Sequence, residues 1–152
     1  MPYTTADARQ QLLDSLAEAT DQLASAVAAL SEAYEALDEA SAERLEQELF
    51  RPVQAAYGRA RRTHSEFAKR HALPERTFSP AVPGAPSRGV RGFIDDAVRA
   101  ADSADATLGT LQDSMLPIEV GDPELRAGLE DVRSRLSGIG ENARQLTRTL
   151  GR

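Results

Sequence analysis

Apolar residues recur along most of this chain at alternating spacings of three and four, and this 3.5-residue period constrains the fold more than any other feature. Two series span residues 13–37 and 45–71, and two stricter series span 90–115 and 125–150. Because an α-helix advances 3.6 residues per turn, each series places its apolar side chains on one helix face. The pattern therefore predicts an all-α protein built from long amphipathic helices.

We predict four helices at about residues 5–38, 41–72, 88–116 and 123–150, in a single helical-bundle domain covering residues 1–152. Only 5% of the residues are aromatic, so β-forming residues are scarce and the helical interpretation is favoured. Four apolar faces of similar length bury one another best in an antiparallel four-helix bundle. The mostly short connections indicate up-down-up-down topology.

Prolines mark the expected interruptions. Pro52 lies inside the second predicted helix, where it removes a backbone hydrogen bond, so we expect a kink near residues 48–52. Residues 73–88 contain four prolines and a glycine and are predicted to form a Pro-rich loop. Asp122 directly precedes Pro123, which is typical of a helix N-cap followed by proline at the first helical position.

The junction between the first two helices has two interpretations. The stretch from Leu37 to Leu45 contains neither glycine nor proline, so it could continue as one helical rod of more than 60 residues. It could also form a tight turn capped by Asp38 or Ser41. The alternating three-and-four spacing of apolar residues is interrupted between Leu37 and Leu45. A continuous helical rod should preserve this spacing, so we favour the turn.

Several functional classes lack the residues they need. The chain has no cysteine, which excludes disulfides, thiolate catalysis and Cys-ligated zinc. His64 and His71 lie seven positions apart, about 10 Å along a helix, so one metal ion cannot readily take both. There is no Glu-x-x-His motif, nucleophile elbow or phosphate-binding loop. We therefore expect no metal, no cofactor and no enzymatic activity.

Charge is unevenly distributed along the chain. The net charge is −6, but residues 1–50 carry −9, residues 51–92 carry +7 and residues 93–152 carry −4. An acidic protein is a poor candidate for nucleic-acid binding. No apolar run approaches the ~18 residues of a membrane span and no secretory signal is present, so we expect a cytoplasmic protein without membrane insertion. Arginine outnumbers lysine 17 to 1, which with abundant alanine suggests a high-GC bacterium.

The first candidate site is the cluster of basic residues that begins at Arg59 and continues into the Pro-rich loop and the start of the third predicted helix. One interpretation is structural: Arg59 and Arg62 would face the acidic first helix and help to fix the antiparallel register. The other is functional: unpaired arginines around the loop would bind an anion or an acidic partner, with an aromatic residue as an apolar contact. The candidate residues are Arg70, Arg76, Arg88, Arg91 and Phe78.

A run of small residues is the second candidate site. Ala97, Ala101 and Ala104 occupy successive seam positions of the third predicted helix, and the register places Tyr57 at their level. Tyr57 could simply fill the space that the alanines leave. The same set could instead border a ligand pocket at the waist of the bundle.

These observations predict a non-catalytic helical-bundle protein that acts by protein–protein interaction or self-association through the basic, Pro-rich loop end. The partner would be another protein or a second copy in a homodimer. A small-molecule-binding bundle with a pocket near Tyr57 is the alternative. Gly138 and Gly140 are expected to soften or bend the fourth helix or to allow a close helix approach.

Overall fold

The computed structural model describes residues 5–80 and 89–150, and every regular element in these two ranges is a helix. Five helices have twelve residues or more, so the predicted count of four is wrong. A π-helical segment, Glu46–Phe50, joins the second and third α-helices. The α-helices are α1 (Thr5–Glu35), α2 (Glu39–Leu45), α3 (Arg51–Arg70), α4 (Gly89–Asp113), α5 (Leu116–Val120), α6 (Pro123–Leu136) and α7 (Ile139–Leu150).

The chain turns at residues 36–38, between α1 and α2. The Leu37 N–H donates to the Tyr34 carbonyl at 3.3 Å. Asp38 then takes the N-cap position of α2 with extended backbone, although its side chain makes no capping hydrogen bond. The Tyr34 ring meets the Phe50 ring edge-on, with centroids 6.4 Å apart. The predicted turn is therefore confirmed, and the continuous rod is excluded.

The helix that follows is interrupted where the kink is predicted, in the form of the π-helical segment Glu46–Phe50. Pro52 lies two residues after the end of this segment and has no N–H, so it cannot donate to the Glu48 carbonyl one turn earlier. The Asn142 side-chain amide of α7 donates to that carbonyl oxygen at 3.0 Å. The Glu48 carbonyl, which lacks a helical donor because of Pro52, is therefore hydrogen-bonded by a side chain of another helix.

The predicted fourth helix at 123–150 is two helices, α6 and α7. Ser137 has extended backbone with ψ 135°, and Gly138 has φ +87°, in the left-handed region that favours glycine. These two residues end the helical path, and the Asn142 N–H donates to the Gly138 carbonyl at 2.9 Å as α7 begins. The expectation of one uninterrupted helix is wrong because the backbone leaves the right-handed helical region at Gly138.

α1 packs most extensively against α4, and the two helices run in opposite directions. Near the end of α1, Leu37 lines the same surface cavity as Val90 at the start of α4. Farther back along α1, the Thr107 hydroxyl donates to Gln22 Oε1 at 3.1 Å. Positions nearer the N-terminus of α1 therefore lie beside positions nearer the C-terminus of α4, so the two helices are antiparallel.

α3 also runs opposite to α1. Tyr34, at the end of α1, lies against Phe50 just before α3 begins. Residues 76–78 link the middle of α1 to the later part of α3, because Arg76 binds Asp21 and Phe78 packs against His64. α3 and α4 consequently run in the same direction, and the up-down-up-down prediction is wrong.

The other connection, between α4 and α6, follows the prediction in part. Asp122 caps α6 as expected, since its Oδ1 accepts from the Leu125 N–H at 3.0 Å. Met115, the last residue of the apolar series at 90–115, does not pack in the core. α4 ends at Asp113, and Met115 is 61% exposed. Leu116, in the short helix α5, is buried in its place. No helix in the described ranges combines the length and apolarity needed to cross a bilayer.

Candidate functional site

The end of the basic segment is held by Asp122. Arg70 donates from Nε to Asp122 Oδ2 and from Nη2 to Oδ1, both at 3.0 Å, and His71 Nε2 lies 2.9 Å from Oδ2. Arg70 Nη1 also lies 2.9 Å from Glu124 Oε2. Burial alone would raise the pKa of Asp122, but hydrogen bonds from the Leu125 N–H, Arg70 and His71 outweigh it and lower that pKa. This cluster ties α3 to α6.

Residues 72–80, after α3, lie back against α1 and α3. Arg76 forms a two-point ion pair with Asp21, with distances of 2.8 and 3.0 Å. The Arg76 guanidinium also lies 4.7 Å from the centre of the Phe78 ring, and Phe78 is buried against His64 with ring centroids 5.0 Å apart. Arg76 and Phe78 therefore anchor this segment to the helices, and the Arg76 charge is balanced within the molecule.

The two histidines occupy different environments. His64 is only 2% exposed, and its Nδ1 has no hydrogen-bond partner among the described residues. Burial, reinforced by the nearby Arg76 charge, lowers the pKa of His64, so its ring is neutral at pH 7. His71 lies at the C-cap of α3 beside Asp122. Within residues 5–80 and 89–150, no three His, Asp or Glu side chains are grouped to hold a metal ion.

Arg59 does not face helix α1, and that expectation is wrong. Its Nε donates to Asp131 of α6 at 3.0 Å. The cause is the position of Arg59 on the α6 side of α3, which the residue spacing alone does not reveal. Arg62 is exposed and makes no ion pair within the described ranges.

The second candidate set is buried. Tyr57 is 5% exposed, its hydroxyl has no hydrogen-bond partner among the described residues, and the Arg61 guanidinium lies 4.5 Å from its ring centre. Ala97, Ala101 and Ala104 are buried on α4. Ala101 also lines a surface groove of about 420 Å³ between α4 and α6, which Tyr57 does not line. The structure thus places these side chains in the packed interior, and a ligand there stays a prediction.

The remaining candidate, Arg91, lies at a groove of about 710 Å³ between α4 and α7, while Arg88 lies outside the described residues. The floor of this groove is apolar or small, formed by the half-buried Val98, the buried Ala143 and Gly140. Its rim is charged on both sides. The charged residues on the rim are Arg91, Asp95, Arg99 and Asp102 from α4 and Arg144 and Arg148 from α7.

Some of the charged rim residues form ion pairs within the part of the protein that the structure describes, and others do not. On α7, Glu141 lies 2.6 Å from Arg144 and 3.7 Å from Arg148, and the Arg144 hydrogen bond lowers the pKa of Glu141. On α4, Arg99 pairs with Asp96 at 3.3 Å. Three other rim residues form no ion pair within residues 5–80 and 89–150, namely Arg91, Asp95 and Asp102. An apolar centre surrounded by a polar, charged rim is the arrangement that protein–protein interfaces have.

Three of the four predicted arginines lie in the described residues, and the structure separates these three. Arg70 and Arg76 are ion-paired at different places, whereas Arg91 lines the groove. Sequence reasoning missed the contributions of Asp102 and α7. A signal was present, since oppositely charged residues follow one face of α4, but nothing local reveals that α7 lies beside it.

No protein-family model, curated protein or solved structure matches this chain. Its function must therefore be inferred from the groove and its surroundings.

Proposed function

We propose that this chain is a non-catalytic helical-bundle protein that acts through protein–protein contact at the groove between α4 and α7. The observation that carries the proposal is the combination of an apolar floor with rim charges that the described chain leaves unpaired, at Arg91, Asp95 and Asp102. Burial of the floor would supply affinity, and the rim charges would select the partner. The Pro-rich loop end is a weaker candidate because Arg70 and Arg76 are engaged internally.

We further propose that residues 1–152 form one domain, in which four rods pack as a bundle with antiparallel neighbours. The rods would be α1, the helix from α2 through α3, α4, and the pair α6 and α7. The contacts of α1 with α3 and α4, and those of α6 with α3 and α4, support this arrangement. A single long crossover, instead of short turns throughout, would then connect α3 to α4.

A site-specific photo-cross-linking amino acid tests the groove proposal in the native host cell. One variant carries it in place of Thr147, which lines the groove, and the control carries it in place of Arg62, which is exposed on α3. We expect discrete protein adducts from position 147 that are absent from position 62. The same adducts from both positions, or none from position 147, would contradict the proposal.

Small-molecule binding near Tyr57 is the second candidate function. One observation favours it: the Tyr57 hydroxyl is buried and has no hydrogen-bond partner among the described residues. Native mass spectrometry of protein purified from the host should then detect a bound mass that the Tyr57→Phe variant loses. If the wild type carries no such mass, this function is excluded. A cytoplasmic location, and the lack of a role in nucleic-acid binding, stay predictions that follow from composition.

A further inference from the structure

The exposed face of α4 carries a stripe of alternating charge beside the groove. Its members are Arg91, Asp95, Arg99 and Asp102, and all four are exposed. These positions follow one another at spacings of four, four and three residues, which keeps them on one helix face. The stripe extends about 16 Å along the helix axis. We call these four residues the α4 charge stripe.

The described chain leaves most of this stripe available to a partner. Arg99 is its only member with an ion pair in the described residues, to Asp96 in the same helix, and the Arg99 side chain remains 73% exposed. The next acidic residue of α4, Asp105, is bound by Arg133 at 2.8 Å, so the available stripe ends at Asp102. The half-buried Val98 lies at the centre of the stripe and provides an apolar contact point.

We infer that the occupant of the groove is a second copy of this chain, packed α4 against α4 in antiparallel orientation about a twofold axis. This inference rests on the proposed function, which requires only that the groove bind a protein. A twofold axis brings the same surface of both copies together. When the stripes of two copies pack side by side in opposite directions, the residue numbers of each facing pair add to about 193 to 194. Arg91 then faces Asp102 of the second copy. Asp95 likewise faces Arg99 of the second copy.

The charge order selects this register over its neighbours. In the antiparallel register described, each of the four charges of one copy meets an opposite charge in the other. A shift of one helical turn in one direction places Arg91 against Arg99 and Asp95 against Asp95. A shift in the other direction places Asp95 against Asp102 and Arg99 against Arg99. A parallel, in-register pair sets every charge against itself. Repulsion between like charges disfavours these alternative registers. The stripe is therefore specific for the antiparallel pairing with its own copy.

Charge reversal with rescue tests the pairing. Light scattering should give wild-type protein twice the 16.4 kDa mass of one chain. The variant Arg91→Glu/Arg99→Glu makes every cross-copy pair repulsive, and so does Asp95→Arg/Asp102→Arg. Each variant should weaken the dimer on the order of 100-fold or more. An equimolar mixture of the two variants restores opposite charges and should regain the dimer mass.

Matched controls apply the same change in net charge elsewhere. Arg61→Glu/Arg62→Glu and Glu43→Arg/Glu66→Arg alter exposed residues away from the groove. Both control variants should retain the wild-type mass. Circular dichroism reports whether each variant is folded. A mixture of folded groove variants that stays monomeric would overturn the register, and so would a control variant that dissociates equally.

Cross-linking provides a second measurement that needs no charge change. The chain has no cysteine, so a single introduced thiol can only be joined to a second copy. In this register the two copies of position 98 lie about 4 Å apart along the axis, and the two copies of position 106 about 28 Å apart. A short bismaleimide should therefore join Val98→Cys efficiently and Ala106→Cys poorly. Equal yields at both positions would contradict the register.

Failure of this inference is distinguishable from failure of the proposed function. A wild type that remains at 16.4 kDa at every concentration would overturn self-association. The groove would still be a protein-binding site if photo-cross-linking from position 147 captured a different protein in the cell. If position 147 captures nothing, the proposed function fails as well.

Discussion

Replacement of Gly128 by alanine should strain the contact between α3 and α6. Gly128 is buried against Thr63, and an added Cβ would lie 2.7 Å from Thr63 Cγ2 and even closer to Thr63 Oγ1. Carbon atoms do not approach this closely without a shift of the surrounding structure. Thr63 cannot rotate clear of the added methyl group, because it is β-branched and each alternative χ1 rotamer still leaves either Oγ1 or Cγ2 facing Gly128. The helices must therefore separate locally.

The magnitude follows from two opposing effects. Overpacking of a buried contact costs about 1–3 kcal/mol. Alanine is favoured over glycine inside a helix by about 1 kcal/mol. Gly128→Ala should thus lower the free energy of unfolding by about 0–2 kcal/mol. In a Thr63→Ala background the two clashing atoms are gone, so the same substitution should no longer destabilise. The coupling between the two substitutions should be about 1–3 kcal/mol.

Urea titration of the wild type, both single variants and the double variant measures this coupling. Gly58→Ala is the matched control, because a Cβ at Gly58, within α3, meets no atom within 4 Å. It should stabilise the protein by about 1 kcal/mol. If the Gly128 and Thr63 substitutions are additive within about 0.5 kcal/mol, the close contact between α3 and α6 is refuted.

Three further substitutions test other contacts by chemical denaturation. Asp122→Asn should destabilise the protein by about 2–3 kcal/mol near pH 7, because Arg70 loses its buried carboxylate. Since the folded-state pKa of Asp122 is lowered, its contribution is present above about pH 4 and is lost as the pH falls through that lowered pKa, so the stability difference between the variant and the wild type should shrink in acid. Asn142→Ala should cost about 1 kcal/mol by freeing the Glu48 carbonyl, and an unchanged midpoint would count against that bond. Gly138→Ala should cost about 1–2 kcal/mol because φ is +87°, and a stabilised variant would exclude the left-handed conformation.

Local features of the sequence determined the helices and most of their ends. The 3.5-residue apolar series placed the helical ranges, and the loss of frame after Leu37 indicated the turn at residues 36–38. Pro52 indicated where the second helix is interrupted, and Asp122 with Pro123 indicated the start of α6. Each of these features depends on residues within one or two helical turns, so spacing and backbone chemistry suffice to predict them.

The break at Gly138 was less accessible from sequence. Gly138 and Gly140 indicated softness, but glycine is compatible with both right-handed helix and φ above zero. Which conformation it takes depends on the packing of the flanking helices. The Asn142 contact with the Glu48 carbonyl, 94 residues apart, is part of that packing and has no local signature.

Only the tertiary structure decided the direction of α4 and the partners of the arginines. An apolar series reads equally well in both directions, so the pattern on α4 did not reveal that this helix runs with α3 and against α1. Arg59 and Arg76 likewise found their carboxylates through helix neighbours: Arg59 binds Asp131 and Arg76 binds Asp21. Exposed ion pairs contribute only about 0–1 kcal/mol each, too little to dictate the arrangement of helices. They form where the burial of apolar faces brings the charges together, and the same burial placed α7 beside the charged face of α4 and so formed the groove.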